Sequence, residues 1–456
     1  MERLTGWAKH DDWGSTDDIP EFLGREPDGS PCSELWFGAH PDGPTLTEDG
    51  TTLAQRISSD PAAMLGRGLV YAFGPQLPYL AKVIATCQPL SLQVHPTKEI
   101  AREGYLREDI LGIPRTDPDR TYRDMNHKPE MLYALTDFEA LVGFRVPRRA
   151  RQLLEGLDCP LAQSLHQRLR LATVRGGLRS LVAWLFDPDS PVTPDSIDEF
   201  VRASAERLAR GDSPSVRTDR MVASLARIHP GDPGIIVAFL MNPVSLRPGE
   251  CVYIPPRMIH SYQSGMGIEV MASSDNVVRA GLTVKHVDAA QLVEIAEFSA
   301  LPPVRVAPEH PTRATDRFLA PAQEFQLSVT TLGADGADGA DGAGGADGES
   351  VIGPGHDGGG AAAGGEGGTQ GTPGAPGGAR MGTGGAHDTV QTEEQIPGEG
   401  PRIVFVTEGE VTLRSAVPCG SASELTLHRG EVAFVAACER ALGASGHGRV
   451  IQCAAP

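Results

Sequence analysis

The sequence predicts a mainly β protein with an α-helical insert. Short apolar runs separated by glycine, proline and aspartate fill the first third of the chain. From residue 147 to about residue 231 the apolar residues instead recur at three- and four-residue spacing, and alternating runs return after that block. Because 456 residues exceed what one compact core accommodates, we expect two or three domains.

The first 146 residues have the pattern of a β-sandwich or a barrel. Short apolar runs cover 80–84, 90–95 and 131–142, and turn-forming residues lie between them.

Residues 147–231 are predicted to form a helical domain. Helical spacing covers 148–157, 161–174, 178–186, 194–210 and 216–228. Pro194 and Asp195 are typical of a helix start, and Pro230 followed by Gly231 is typical of a helix end.

Strand patterns return at 234–240 and at 244–262, where Pro255 and Pro256 break the second run just before His260. Further alternating runs cover 324–332, 402–416, 425–437 and 449–453. The glycines within 408–410 and 428–431 predict hairpin-type turns.

Residues from about 333 to 400 form a low-complexity segment rich in glycine, alanine and aspartate. The segment carries eleven acidic residues and one arginine, so it accounts for more than half of the formal net charge of -19. Such a composition buries too little apolar surface to offset the entropy lost on ordering. We interpret it as a disordered insertion within one small β-domain; a linker followed by an independent β-tail is the alternative.

Composition excludes several functions. No basic run interleaved with aromatic residues occurs, which argues against nucleic-acid binding. No apolar stretch approaches the about 18 residues of a membrane span, and the first residues lack the apolar region of a signal peptide. The seven cysteines are scattered and never spaced C-x-x-C, which is typical of reduced thiols. We therefore expect a cytoplasmic protein that binds neither membrane nor nucleic acid.

Four residues can supply nitrogen and oxygen ligands to one metal ion. Gln93 and His95 are two apart on a predicted strand, so both side chains point to one face. Glu130 opens another β-run, and His260 follows the proline break. Two histidines, one carboxylate and an open position are typical of catalytic zinc and also of non-haem iron. A single histidine on a strand usually has no metal role, so spacing alone leaves the site undecided.

The chain resembles the type I mannose-6-phosphate isomerases of the cupin superfamily. The resemblance rests on seven motifs in order, namely DWG at 12–14, ELWFGAHP at 34–41, SLQVHP at 91–96, NHKPEM at 126–131, FEALVGFR at 138–145, LRPGECVYIP at 246–255 and SDNVVRAGLT at 274–283. The sequence departs from the family pattern at Val284, where members often carry proline.

The resemblance implies a fold, an activity and a metal. Residues 1–146 and 232–300 would form a cupin-type β-sandwich, or jelly-roll, as the catalytic domain. Residues 147–231 would form the helical domain, and 301–456 a smaller cupin-like domain interrupted by the 333–400 insertion. The activity would be zinc-dependent isomerisation of D-mannose 6-phosphate and D-fructose 6-phosphate through an enediol(ate), feeding mannose and GDP-mannose metabolism.

The resemblance also assigns one zinc ion to Gln93, His95, Glu130 and His260. Glu130 is the only anionic ligand in this set, so the site would keep about one unit of positive charge to stabilise the enediolate.

The catalytic arginine of the family falls on Arg279, whose guanidinium suits either the sugar oxygen or the phosphate. Candidates for the proton-transferring base are Lys128, Glu269 and His127.

Substrate-binding residues implied by the resemblance are Ser91, Tyr262 and Lys285, and Lys82 is a further pocket candidate. Trp13 fits the core better than the pocket. Two other functions stay open at this point, an iron dioxygenase of the same fold and a sugar sensor without activity. We expect a monomer whose only partner is a small sugar phosphate.

Overall fold

The computed structural model describes residues 1–171, 176–333, 393–417 and 422–456, so most of the predicted 333–400 insertion lies outside the described residues. The strands in this part of the chain are β1 Glu2–Thr5, β2 Trp7–Lys9, β3 Glu34–Phe37, β4 Leu46–Thr47, β5 Tyr79–Thr86, β6 Leu92–Val94, β7 Glu130–Ala134, β8 Phe138–Phe144, β9 Met241–Leu246, β10 Cys251–Ile254, β11 His260–Ala272, β12 Val278–Gly281, β13 Val304–Val306, β14 Thr315–Phe318, β15 Gln326–Leu332, β16 Glu394–Ile396, β17 Arg402–Ser415, β18 Glu424–His428, β19 Val432–Val435 and β20 Leu442–Ala454.

The helices of the same described ranges are α1 Asp18–Phe22, α2 Leu53–Ser59, α3 Pro61–Leu65, α4 Arg67–Phe73, α5 Lys98–Ile110, α6 Pro147–Leu154, α7 Pro160–Leu171, α8 Gly177–Phe186, α9 Pro194–Arg210, α10 Val216–Ile228, α11 Gly234–Phe239 and α12 Ala289–Ile295, with one 3₁₀ turn at Ala437–Glu439. None of these helices is both long and apolar enough to cross a membrane. The prediction of a mainly β protein with a helical insert is confirmed.

The helical block runs from α6 to α10, as predicted. Its longest helix, α9, starts where the Thr193 hydroxyl accepts a hydrogen bond from the main chain of Ser196, and it ends at Gly211, whose φ is 79°. The buried Arg207 guanidinium pairs with the buried Asp219 carboxylate and so fastens α9 to α10. Charges so deep in a protein need such a partner, because removing either one leaves the other uncompensated.

Two local predictions are wrong. Residues 234–240 do not form a strand: Gly234–Phe239 is the helix α11, and all six of its residues are buried. A run that is apolar on every side shows no periodicity, so its pattern does not distinguish a helix from a strand. The Asp232 carboxylate favours the helix because it accepts the Gly234 N–H at 2.7 Å. The hairpin expected at 408–410 is absent from the described strand β17, which continues through these residues; its β-bulge lies between Val406 and Glu408, and Gly409 has a φ of 73°.

The first sheet contains eleven described strands in the order β13-β10-β7-β11-β5-β3-β2, to which β6, β8, β9 and β12 are attached. Strand β11 holds this arrangement together because it changes partners along its length. From His260 to Ser264 it pairs with β6 and β8, and from Gly265 to Ala272 it pairs with β5 and β7. Gly265, with a φ of 113°, lies at this switch. One strand therefore carries His260 at its start and Glu269 near its end.

The second sheet has nine described strands in the order β14-β15-β20-β17-β19-β1-β4, with β16 and β18 attached. Strand β1 pairs with β19 there, although residues 1–146 are predicted to belong to the catalytic domain. Conversely, β13 pairs with β10 of the first sheet. The two sheets thus exchange strands across the proposed boundaries, which stay a prediction.

Cys438 differs from the expectation of reduced thiols, because it is disulfide-bonded. Five other described cysteines are free, namely Cys32, Cys87, Cys159, Cys251 and Cys453.

Strands β15 and β16 lie in line along the same edge of β20. Leu332 is opposite Gly448 and Glu394 is opposite Ala444, so the chain leaves this edge and rejoins it four positions further along. At about 3.3 Å per residue the break spans about 13 Å. A very short connection could close it.

We predict that replacing residues 334–392 by a four- or five-residue Gly-Ser loop leaves the fold intact and its melting temperature unchanged or higher. A shorter loop costs less closure entropy, about 0.6 kcal/mol for each halving. Thermal unfolding followed by circular dichroism checks this. The control extends the deletion to residue 396 and removes the buried Ile396 of β16, so it should lower the melting temperature. A shorter-loop variant as unstable as the control would contradict the prediction.

Candidate active site

A cleft of about 890 Å³ is lined by residues of β2, β3, β5, β6, β7, β11 and β12 and by the loops around them. Its walls carry many charged side chains and three tryptophans, Trp7, Trp13 and Trp36. Trp13 is half-buried and packs against a cluster beneath the cleft, so it serves both core and wall.

Three of the four predicted metal ligands meet at Glu130, which lines this cleft. The ligand atoms of His95, Glu130 and His260 lie within 4.8 Å of one another. The Nε2 of His95 is 3.1 Å from Oε1 of Glu130, and the Nε2 of His260 is 3.2 Å from Oε2. All three side chains are buried.

Main-chain carbonyls fix the orientation of both imidazoles. The Nδ1–H of His95 donates to the carbonyl of Asn276 at 2.7 Å, and that of His260 donates to the carbonyl of Met258 at 3.0 Å. Because a carbonyl only accepts, Nδ1 carries the proton in each ring and Nε2 is left with a lone pair. This is the usual arrangement of histidines that ligate metals.

The two Nε2 atoms and Oε2 of Glu130 are buried and have no hydrogen-bond partner among the described residues. Burial lowers the pKa of His95 to about 4, so this imidazole is neutral at pH 7. Burial alone would raise the pKa of Glu130, but the ammonium of Lys128, 3.0 Å away, and the histidines hold it well below its usual value. Lone pairs thus face a carboxylate with no proton between them, and a cation fits where they converge.

The fourth predicted ligand, Gln93, lies on β6 directly opposite His260 and, on its other side, opposite Arg279. Paired residues on neighbouring strands point to the same face. The half-buried Gln93 amide and the Arg279 guanidinium therefore both line the cleft beside the histidines.

The remaining predicted residues are distributed around the cleft. Lys128, Glu269, Ser91, Tyr262 and Lys285 all line it, whereas His127 does not and instead pairs with Glu324 at 2.7 Å. The ammonium of Lys285 is exposed and pairs with Asp11 at 3.1 Å.

Lys82 and Glu34 form a buried network with the predicted base Glu269. The Lys82 ammonium lies 3.0 Å from Glu269 and 3.2 Å from Glu34, and the Tyr262 hydroxyl donates to Glu269 at 3.0 Å. Burial alone would lower the pKa of Lys82, but Glu269 and Glu34 hold it above its usual value. Burial, and then the Glu269 charge, raise the pKa of Tyr262 well above its usual value. Lys82 is thus a cation and Tyr262 a neutral donor.

Sequence reasoning missed Glu34 and Asn276. Asn276 is fully buried, and its amide joins two segments of the site. Its Oδ1 accepts from the main-chain N–H of Arg123 at 2.7 Å and of Asp124 at 3.2 Å, and its Nδ2 donates to the carbonyls of Asp124 and Asn126 at 2.8 Å each. The same residue's carbonyl orients His95. The sequence offers one signal for Asn276, which is a polar residue directly before an apolar strand, as in SDNVV.

Comparison with known proteins agrees with this geometry. Residues 1–147 match the family described as phosphomannose isomerase type I, catalytic domain. The mannose-6-phosphate isomerase of Salmonella typhimurium is 30% identical over 99% of both chains, and that of Escherichia coli is 28% identical over the same share. The mannose-6-phosphate isomerase 1 of Arabidopsis thaliana is 32% identical over 66% of this chain and 70% of its own.

The chain belongs to the type I mannose-6-phosphate isomerase family. A crystal structure of the Salmonella typhimurium mannose 6-phosphate isomerase, described as bound to its substrate fructose 6-phosphate and to zinc, superposes with a TM-score of 0.78 at 28% identity, covering 100% of this chain and 99% of that one. A zinc-bound mannose 6-phosphate isomerase structure superposes equally well. The similarity to the isomerase fold therefore includes described residues well beyond the N-terminal 147.

We predict that Asn276→Ala weakens metal binding at the isomerase site by about tenfold or more, the scale seen when a residue that orients a ligand is lost. The change leaves buried main-chain groups of the 123–126 loop unpaired and frees the carbonyl that holds His95. Titration with Co²⁺, whose absorption reports coordination, measures the affinity.

Asn242→Ala is the matched control for this experiment. The Asn242 amide also donates to main-chain carbonyls, those of Val142, Gly143 and Leu301, but it does not line the cleft. Its loss should affect stability while Co²⁺ affinity stays within about twofold. Equal losses of Co²⁺ affinity in both variants would show that Asn276 has no specific role at the site.

Proposed function

We propose that the chain catalyses the interconversion of D-mannose 6-phosphate and D-fructose 6-phosphate with one bound zinc ion. The observation that carries this proposal is the convergence of two buried imidazole lone pairs on one carboxylate that lines a polar cleft. Family membership supports it, and so does the zinc- and substrate-bound relative.

His95, Glu130 and His260 would hold the metal ion together with Gln93. Nitrogen and oxygen ligands without a thiolate suit zinc and leave it strongly electrophilic. When bound, the metal supplies a Lewis acid that polarises the sugar oxygen.

The side chains of the cleft divide the remaining chemistry. Isomerisation removes the proton on C2 of the aldose, returns a proton to C1 and moves another from the C2 oxygen to the C1 oxygen. Glu269 and Lys128 are the candidate bases, and both line the cleft. Glu269 is held at a fixed position by Lys82 and by the Tyr262 hydroxyl, as a proton acceptor must be.

Arg279 would donate hydrogen bonds to the oxygen on which negative charge develops. Its place opposite Gln93 puts it beside the metal ligands, and none of the described carboxylates forms an ion pair with it. Ser91, Tyr262 and Lys285 are the other proposed substrate-binding residues. Tyr262 would also act on the reaction through the hydrogen bond that it donates to Glu269.

The proposal includes the organisation of the chain. Residues 1–146 and 232–300 would act as the catalytic domain, 147–231 as the helical domain and 301–456 as the second β-domain. The protein would be a cytoplasmic monomer that takes sugar phosphates and binds neither nucleic acid nor membrane.

We predict that His95→Ala and His260→Ala each remove most of the bound zinc and the isomerase activity. A site with one ligand fewer binds zinc far more weakly, because the affinity depends on deprotonated ligands that the fold holds in place. Elemental analysis of the purified variants and a coupled assay with mannose 6-phosphate measure both quantities. Normal zinc content with full activity in both variants would refute the metal assignment, and iron in place of zinc in the wild type would favour a dioxygenase.

We predict that Arg279→Ala lowers kcat by about 100-fold or more, the scale seen when one preorganised donor to a developing charge is lost. Zinc content should stay normal because Arg279 is not a ligand. Arg279→Lys should restore only part of kcat, since an ammonium cannot reproduce the planar fork. A higher KM with unchanged kcat would instead place Arg279 on a group that is bound equally in ground and transition states.

A further inference from the structure

Except for Arg123 and Arg279, the lysines and arginines that line the cleft each lie within ion-pair distance of a carboxylate of the protein, although Lys9 and Lys285 share one and the partner of Lys128 is the proposed metal ligand Glu130. The ion pairs are Lys9–Asp11 at 3.0 Å, Lys82–Glu269 at 3.0 Å, Lys128–Glu130 at 3.0 Å, Arg120–Asp109 at 2.7 Å and Lys285–Asp11 at 3.1 Å. A paired cation attracts an incoming anion less than a free one does, because its partner carboxylate repels that anion.

Arg123 and Arg279 are different. Both line the cleft, and in the described part of the chain neither guanidinium forms an ion pair with a carboxylate. Both are half-buried, so water screens their charges only in part. The positive charge of Arg123 acts on Arg279, and the Asp11 carboxylate offsets it only in part. Two like charges held in a partly dry cleft are unfavourable unless anionic groups neutralise them.

The fold holds these two arginines on one wall. Asn276 accepts the main-chain N–H of Arg123 at 2.7 Å, and Asn276 lies three residues before Arg279 in the same segment. Arg279 is opposite the proposed metal ligand Gln93, so it belongs to the reacting end of the cleft. Arg123 comes from the loop that precedes Lys128 and leads into β7, and it has no metal ligand as a strand neighbour.

We propose that Arg123 binds the phosphate group of the sugar phosphate. The inference rests on the proposed function and adds to it the residue that recognises the phosphorylated end. A planar guanidinium donates two parallel hydrogen bonds to phosphate oxygens, which is the strongest recognition a single side chain offers to that group. The dianion neutralises Arg123, whereas Arg279 faces the reacting oxygens and Lys285, already paired with Asp11, contributes less charge.

Steady-state kinetics of Arg123→Ala on the zinc-loaded full chain test this proposal. Asn276 holds the main chain of residue 123, so the substitution leaves that contact in place. We expect KM for mannose 6-phosphate to rise about tenfold or more with kcat within about threefold, because the phosphate is bound alike in ground and transition states. Inhibition by inorganic phosphate should weaken by a similar factor, and Arg123→Lys should recover part of the affinity.

Arg305→Ala is the matched control, since it removes the same charge from an arginine that is paired with Glu250 at 3.1 Å, and neither residue of that pair lines the cleft. Its KM should stay within about twofold of the wild type. An Arg123→Ala variant with unchanged KM and unchanged phosphate inhibition overturns the proposal, as does a loss of kcat at constant KM.

A wild-type protein that does not isomerise mannose 6-phosphate would refute the proposed function and not this inference. Calorimetric titration of inorganic phosphate into the zinc-loaded protein then decides the matter. Phosphate binding that Arg123→Ala abolishes and Arg305→Ala preserves supports the site, and binding equal in all three proteins, or absent from the wild type, overturns it.

Discussion

The architecture of the site depends on one buried carboxylate that lies between two imidazole nitrogens with no proton to share. The Nδ1 proton of each histidine is committed to a main-chain carbonyl, so both Nε2 lone pairs face Glu130. Such an arrangement is unfavourable without a cation and favourable with one. The strands converge accordingly: β7 begins at Glu130, β11 begins at His260, and His95 directly follows β6.

Strand register also places charged side chains around the proposed metal site. Trp36, Lys82 and Glu269 are cross-strand neighbours on β3, β5 and β11, so strand register alone brings a cation between a ring face and a carboxylate. The Lys82 ammonium lies 5.0 Å from the Trp36 ring centroid. Register also sets Arg279 beside Gln93, and the Asn276 amide ties the Arg123 loop to the same wall. Strand pairing therefore positions both the metal ligands and the charged groups that would handle substrate.

The sequence predicted the fold class, the helical block and the motifs that carry the ligands, because periodicity and turn chemistry are local properties. Prediction failed where the local sequence pattern does not distinguish between two structures. The run at 234–240 is apolar on every side, so helix and strand could not be distinguished, and the glycine at 409 lies in a continuous strand next to a bulge, where a hairpin glycine would look the same in sequence. Glu34 and Asn276 were missed because their partners are set by register and by long-range loops. The roles of the proposed ligands, of Arg279 and of the substrate contacts stay predictions.

Stepwise addition of zinc to the chelator-treated protein, with turnover of mannose 6-phosphate followed in a coupled assay, tests the central claim most directly. If Glu130 and the two histidines form one metal site that governs activity, the apo-protein is inactive and the rate rises linearly to a break at about one zinc per chain. Full turnover in protein depleted to below about a tenth of an equivalent of metal would contradict the account, because the buried lone pairs would then have no part in catalysis.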